Sequence, residues 1–201
     1  MSLKENKYLK HSFFMKLALM QAKKNLGNTK DNPAVGCIIV KDNCVLSAGT
    51  TGRKGTPHAE YNALNSVKKN NKNSDLYVSL EPCSHYGKTP PCVKNIIDNK
   101  IRKVFFSIKD PDIRSYNKST KKFKKCKIPV SNGILYPEIK NFYRSYFAYK
   151  SNKLPFVTAK FAISKDYYSK EKSNKWITNE FSRGRVHLMR SYHDCILTSA
   201  K

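Results

Sequence analysis

The chain has 201 residues and carries 39 Lys and Arg against 14 Asp and Glu, a formal charge of +25. That length holds one ordinary domain, or one domain plus part of another, and 39% hydrophobic with 11% aromatic residues argues against intrinsic disorder. No apolar run approaches the roughly 20 residues of a membrane span.

The basic charge is mostly Lys, with only seven Arg, spread along the whole sequence. Nucleic-acid contact surfaces favour Arg with interleaved aromatics. The diffuse excess therefore reads as a solvated surface, and it suits a phosphorylated small substrate as well. The N-terminal stretch lacks a small-residue cleavage site and Lys16 interrupts its apolar run, so it reads as an amphipathic helix and not a signal peptide. A soluble, cytoplasmic protein without membrane or nucleic-acid partners is expected, with homo-oligomerisation left open. In that compartment the six cysteines should be reduced. Cys37, Cys44, Cys126 and Cys195 lie in or beside apolar segments and are expected to be buried and inert; Cys83 and Cys92 stand in a different context.

In chain order, Ser12 is placed to cap a helix through Phe14, Leu17 and Ala18 that ends near Gly27. VGCIIV and CVLSAG flank the polar turn Lys41-Asp42-Asn43 and predict a β-hairpin. Thr56 as N-cap and Pro57 at the first helical position predict a helix to about Lys69. Leu76–Leu80 is a predicted strand, followed by a loop from Glu81 to Pro90 and a helix opened by Pro91. Arg102–Ile108 and Ile128–Val130 are further strands, with Lys118–Lys125 only weakly patterned between them. Ile139, Phe142, Tyr146 and Tyr149 mark one closing helix. Strands alternating with helices after one hairpin predict a three-layer α/β domain over residues 1–150.

After the polar break Ser151-Asn152-Lys153, a second unit over 154–201 shows FVTAKFAIS as a strand, Thr178–Arg190 as a helix and CILTS as another strand. So short a unit cannot bury enough surface to stand alone and reads as an unfinished domain.

Chemistry concentrates in His58-Ala59-Glu60, Pro82-Cys83 and Cys92. One His and two Cys are the protein ligands of a Zn²⁺ site that keeps its fourth position open. Glu60, two residues from His58 near a helix start, can take a proton from water and pass it to a leaving group. This is the H-x-E…P-C arrangement of zinc nucleobase deaminases. A purely structural zinc would need a fourth protein ligand, and His85 is the candidate.

The segment Glu81-Pro-Cys-Ser-His-Tyr-Gly-Lys-Thr-Pro-Pro-Cys92 resembles the zinc motif of the RibD family, the bifunctional pyrimidine deaminase/reductases of riboflavin biosynthesis. Its eight residues between the cysteines separate it from the tRNA adenosine and cytidine deaminases, which have two. Asn32-Pro-Ala-Val-Gly-Cys37 resembles the family's substrate-edge loop, and Pro57-His-Ala-Glu60 its first zinc segment. Lys160–Ser164, Lys175–Thr178 and Cys195–Thr198 resemble the opening of its reductase domain.

The resemblance implies a cytidine-deaminase-like α/β/α domain with a mixed central sheet, followed by the first elements of an incomplete, C-terminally truncated α/β reductase. The implied reaction is zinc-dependent hydrolytic deamination of 2,5-diamino-6-ribosylamino-4(3H)-pyrimidinone 5′-phosphate, the alternative being a tRNA or other nucleic-acid base deaminase. It implies His58, Cys83 and Cys92 as zinc ligands, Glu60 as the catalytic residue, and Asn32 and Lys88 as substrate contacts. In the reductase portion it implies Ala162 and Trp176 as NADPH contacts, with Asn174 and Arg190 as substrate contacts. Three departures stand out: Thr51 where the family often has His, Asp112–Thr120 in place of a Gly-rich stretch, and Tyr167 where the family has a turn Gly. Phosphate contacts in the altered stretch are expected from Arg114, Lys118 or Ser119.

Overall fold

The computed structural model describes residues 3–67, 71–87, 89–169 and 176–198. The chain divides into two units, Met1–Pro155 and Phe156–Lys201.

In the first unit, β1 (Gly36–Lys41) and β2 (Cys44–Thr50) form the predicted hairpin, with Lys41 paired to Cys44. Its two turn residues, Asp42 and Asn43, both take positive φ (48° and 64°). That is the hairpin geometry whose twist matches the strands, and Asp and Asn tolerate it. β3 (Asp75–Leu80), β4 (Lys103–Ile108) and β5 (Val130–Asn132) complete a sheet of order β2-β1-β3-β4-β5. β1 runs antiparallel to both neighbours, whereas β3, β4 and β5 are parallel. The sheet is mixed, as expected.

Two glycines let helices close on opposite faces. A Cβ on Gly36 would fall 1.9 Å from the carbonyl oxygen of Ala18, in α1 (Leu3–Lys23). A Cβ on Gly49 would fall 2.3 Å from that of Ala59, in α2 (Ala59–Asn65). Gly49 pairs with Cys37, the neighbour of Gly36, and successive strand residues point to opposite faces. So α1 and α2 flank the sheet on its two sides. Helix α3 (Cys92–Asp98) packs beside α2. On the α1 face, Tyr77 stacks on Phe105 at 4.5 Å, and His11 Nδ1 lies 2.8 Å from the Tyr77 hydroxyl. Helices α4 (Lys118–Lys125), α5 (Tyr136–Phe142) and α6 (Arg144–Asn152) follow. The core between the layers is built on Met15, Leu19, Ile38, Ile39, Phe105 and Phe106.

Several boundaries differ from expectation. α1 starts well before Ser12, whose buried Oγ has no hydrogen-bond partner, because the His11–Tyr77 contact ties the preceding turn to the sheet. The N-cap of α2 is His58 and not Thr56; the Thr56–Pro57 peptide is cis and the helix ends at Asn65. The region about Lys69 lies outside the described residues. Lys118–Lys125 is helical because Phe123 and Ser119 bury one side of it. β5 lies two residues later than predicted, and the closing helix is two, broken at Tyr143. Cys44, Cys126 and Cys195 are exposed; of the four cysteines expected to be buried, only Cys37 is.

The second unit has one regular element among its described residues, α7 (Glu180–Arg190), capped by the Asn179 side chain on the Ser182 N–H at 2.8 Å. Neither FVTAKFAIS nor the described part of CILTS forms a strand, since no other described segment of the unit pairs with them. The turn at Ser164 closes despite the missing glycine: Ser164 N–H donates to the Tyr168 carbonyl at 2.8 Å while Tyr167 takes φ 69°. A bulky residue holds that conformation only at a cost.

Candidate active site

The parallel strands β3 and β4 end on the same side of the sheet, where a polar cleft of about 380 Å³ opens. Such strand ends are where open α/β sheets place their ligands. His58 at the start of α2, Cys83 just past β3 and Cys92 at the start of α3 converge there. Their donor atoms all lie within 4.8 Å of one another. His58 Nδ1 is 3.2 Å from Cys92 Sγ and 3.5 Å from Cys83 Sγ.

The two thiols shift each other in opposite directions. The hydrogen bond from Cys92 holds Cys83 well below the usual thiol range, with His58 contributing. The same contact, then burial, raises Cys92. His58 is raised, chiefly by its hydrogen bond to Cys83. An imidazole and two cysteine sulfurs within ligand reach of one another are a soft donor set that fits Zn²⁺. Glu60 lies in the first turn of α2, buried against the cluster; burial pushes its carboxyl above the ordinary range, Cys83 adds to this, and His58 opposes it. His85, the candidate fourth ligand, turns away to Ser115 Oγ at 3.0 Å and is not among the clustered donors.

The remaining expectations divide. Asn32 lines the cleft, and its amide donates to the Gly55 carbonyl at 3.1 Å. Thr51 lines it too, but its hydroxyl is occupied: it accepts from Val35 N–H at 2.9 Å and donates to the Pro33 carbonyl at 3.2 Å. It braces the Asn32 loop. Arg114 reaches the cleft while gripping Asp112 through Nε (2.9 Å) and Nη2 (2.6 Å). Neither Lys118 nor Ser119 lines the cleft; Ser119 is fully buried, donating to Glu81. Lys88 and Asn174 lie outside the described residues. In the second unit, Trp176 is half exposed under the Arg183 guanidinium at 4.6 Å, Ala162 lies in irregular backbone, and Arg190 ends α7 exposed.

Sequence reasoning missed Asp110, Tyr146 and Lys150, which also line the cleft. Asp110 Oδ1 accepts from Tyr146 Oη at 3.0 Å and from Asp112 N–H at 3.0 Å; burial pushes its carboxyl up to about 6. No local pattern marks α6 as a cleft wall, because Tyr146 reads as one more apolar helix position.

A mixed α/β sheet with a His/Cys/Cys cluster and a buried Glu at its strand ends is the layout of the cytidine-deaminase class of zinc deaminases. Residues 9–108 match the cytidine and deoxycytidylate deaminase zinc-binding region. Over nearly its whole length the chain is similar to proteins of the RibD family. It is 36% identical to RibD of Aquifex aeolicus over 92% of its own length and 52% of that protein's. It is 32% identical to RibD of Escherichia coli over 96% and 53%. Among solved structures, the diaminohydroxyphosphoribosylaminopyrimidine deaminase/5-amino-6-(5-phosphoribosylamino)uracil reductase of Thermotoga maritima superposes with a TM-score of 0.82. It shares 36% identity and covers 92% of this chain and 54% of the other. The chain thus spans about half the length of the relatives it matches.

Proposed function

We propose that residues 1–155 catalyse hydrolytic deamination of 2,5-diamino-6-ribosylamino-4(3H)-pyrimidinone 5′-phosphate to 5-amino-6-ribosylamino-2,4(1H,3H)-pyrimidinedione 5′-phosphate and ammonia. The observation that carries this is the convergence of His58, Cys83 and Cys92 beside buried Glu60 at the cleft. His58, Cys83 and Cys92 hold Zn²⁺, which when bound makes water nucleophilic at neutral pH. Glu60 is the proton carrier: its carboxylate accepts a proton from the attacking water, gives one to the ring nitrogen, and serves the departing ammonia. Its burial suits it to carry that proton. Asn32, fixed at the cleft edge, offers a carboxamide that both donates and accepts to the pyrimidine. Arg114, presented to the cleft, meets the phosphate, and Lys88 is assigned a contact from the loop between the cysteines. Reduced cysteine ligands fit a cytoplasmic setting.

Residues 156–201 are assigned to the opening of the NADPH-dependent reductase, with Ala162 and Trp176 toward the cofactor and Asn174 and Arg190 toward the substrate. The deaminase reading is tested by incubating the purified zinc-loaded chain with the diaminopyrimidine phosphate. Stoichiometric ammonia release is expected; inosine from tRNA or uracil from single-stranded DNA would favour the nucleic-acid alternative instead.

A further inference from the structure

Glu81 is buried between the zinc-cluster segment and the far cleft wall. It follows β3, where its N–H donates to the Ile108 carbonyl at 2.9 Å and extends the parallel ladder by one bond. The residue is 3% exposed, and the three hydrogen-bond partners of its carboxylate all come from one distant segment, the loop before α4 and the first turn of that helix. Oε2 accepts from Asp110 N–H at 3.3 Å and from Asn117 N–H at 3.2 Å. Oε1 accepts from Ser119 Oγ at 2.6 Å. Asp110 begins the loop and Asn117 ends it in a left-handed turn (φ 57°) that starts α4, so one carboxylate holds both ends. Between those ends sit Asp112 and Arg114, on the cleft. The next residues toward the cluster, Pro82 and Cys83, share Glu81's backbone.

We propose that Glu81 is a positioning residue that fixes the 110–119 loop against the Cys83 segment, and so sets the distance between the reacting centre and the loop that meets the anionic end of the substrate. It touches no reacting atom. Removing it leaves two backbone N–H groups and a hydroxyl buried without an acceptor, so the loop moves while the cluster donors stay. Substrate binding suffers before turnover does. The kinetic arm of this inference rests on the deaminase reading above.

The test uses the zinc-loaded full chain. Glu81→Ala should raise KM for the diaminopyrimidine phosphate about tenfold or more, hold kcat within about threefold, and keep one zinc per chain. Amide exchange at Asp110 and Asn117 should accelerate at least about tenfold. Glu81→Gln, whose carbonyl oxygen can still take both N–H groups while its amide faces the Ser119 hydroxyl, should restore all four within about threefold. An unchanged KM, a fall in kcat at constant KM, loss of zinc, or a Gln variant as impaired as Ala would each overturn the proposal. Should Glu81→Ala not fold, Ser119→Ala removes one partner only: about a threefold KM rise with faster Asn117 exchange supports the clamp, and no change in either overturns it. A wild-type chain that releases no ammonia defeats the deaminase reading, whereas the exchange measurements still decide the role of Glu81.

Discussion

The backbone N–H of Cys92 donates to Cys83 Sγ at 3.3 Å, and the next amide, Val93 N–H, donates to the Cys83 carbonyl at 3.2 Å. These two bonds stitch the start of α3 to the exit of β3. The long loop between the cysteines therefore does not have to hold its own ends together, and the donor atoms are gathered by the fold.

Zinc should bind at one ion per chain, and Cys92→Ala should lower that ratio by at least about tenfold at limiting metal, since a lost ligand cannot be replaced by His85, which is held by Ser115. Elemental analysis of dialysed protein reads it. Full occupancy in the variant would remove Cys92 from the site.

Glu60→Gln should keep its zinc and lose about 10²–10⁴-fold in turnover, the range for a positioned acid–base group. Gln preserves the shape of the buried side chain but cannot take the proton. Near-normal ammonia release from this variant would defeat the mechanism.

Asp110 gives a pH dependence of definite sign. Its carboxyl sits at about 6 in the folded chain against an ordinary 3.8, because burial disfavours the charge. Folding therefore holds the proton more tightly than the unfolded chain does. The cost of the buried charge is absent below about pH 4, grows between 4 and 6, and is complete above about 6. Asn keeps an oxygen for the Tyr146 and Asp112 donors, so Asp110→Asn should be more stable than wild type by about 3 kcal/mol at pH 7 and by little at pH 4. Urea unfolding at the two pH values checks this, and an advantage larger at pH 4 would contradict it.

Gly36→Ala should destabilise the first unit by about 3 kcal/mol, the upper part of the usual range for overpacking, because its methyl would meet the α1 backbone at Ala18 and not a side chain that can turn aside. Thermal unfolding measures the loss. An unchanged midpoint would show that α1 can lift from the sheet.

NADPH oxidation in the presence of the deaminated product should be undetectable with residues 1–201. A dinucleotide pocket in an α/β fold is assembled from several strand ends, and the described residues of the second unit contain no strand. Measurable reduction by this chain would refute that.

What could be read from sequence was whatever local chemistry decides. Lys41-Asp42-Asn43 announces its hairpin because the turn residues themselves tolerate left-handed backbone, and His58-Ala59-Glu60 with Cys83 and Cys92 announces a metal cluster because few other arrangements use those residue types together. Features decided at a distance were not legible. Ser12 looks like a cap only until Tyr77, far along the chain, secures His11 before it. α4 offers Phe123 alone as an apolar signal, and what buries Ser119 is Glu81. FVTAKFAIS has strand composition, but a strand is a property of a pair.

Three thiols stand outside the metal cluster and open to solvent: Cys44, Cys126 and Cys195. Accessible thiols exchange with oxidants ahead of buried ones. Stored in air, copies of this chain should couple through those three positions while the ligand sulfurs remain protected inside the cleft. A band of doubled mass on a non-reducing gel then reports surface oxidation and says nothing about native assembly. Changing the three to Ser separates the two, leaving a protein whose remaining thiols are Cys37, Cys83 and Cys92.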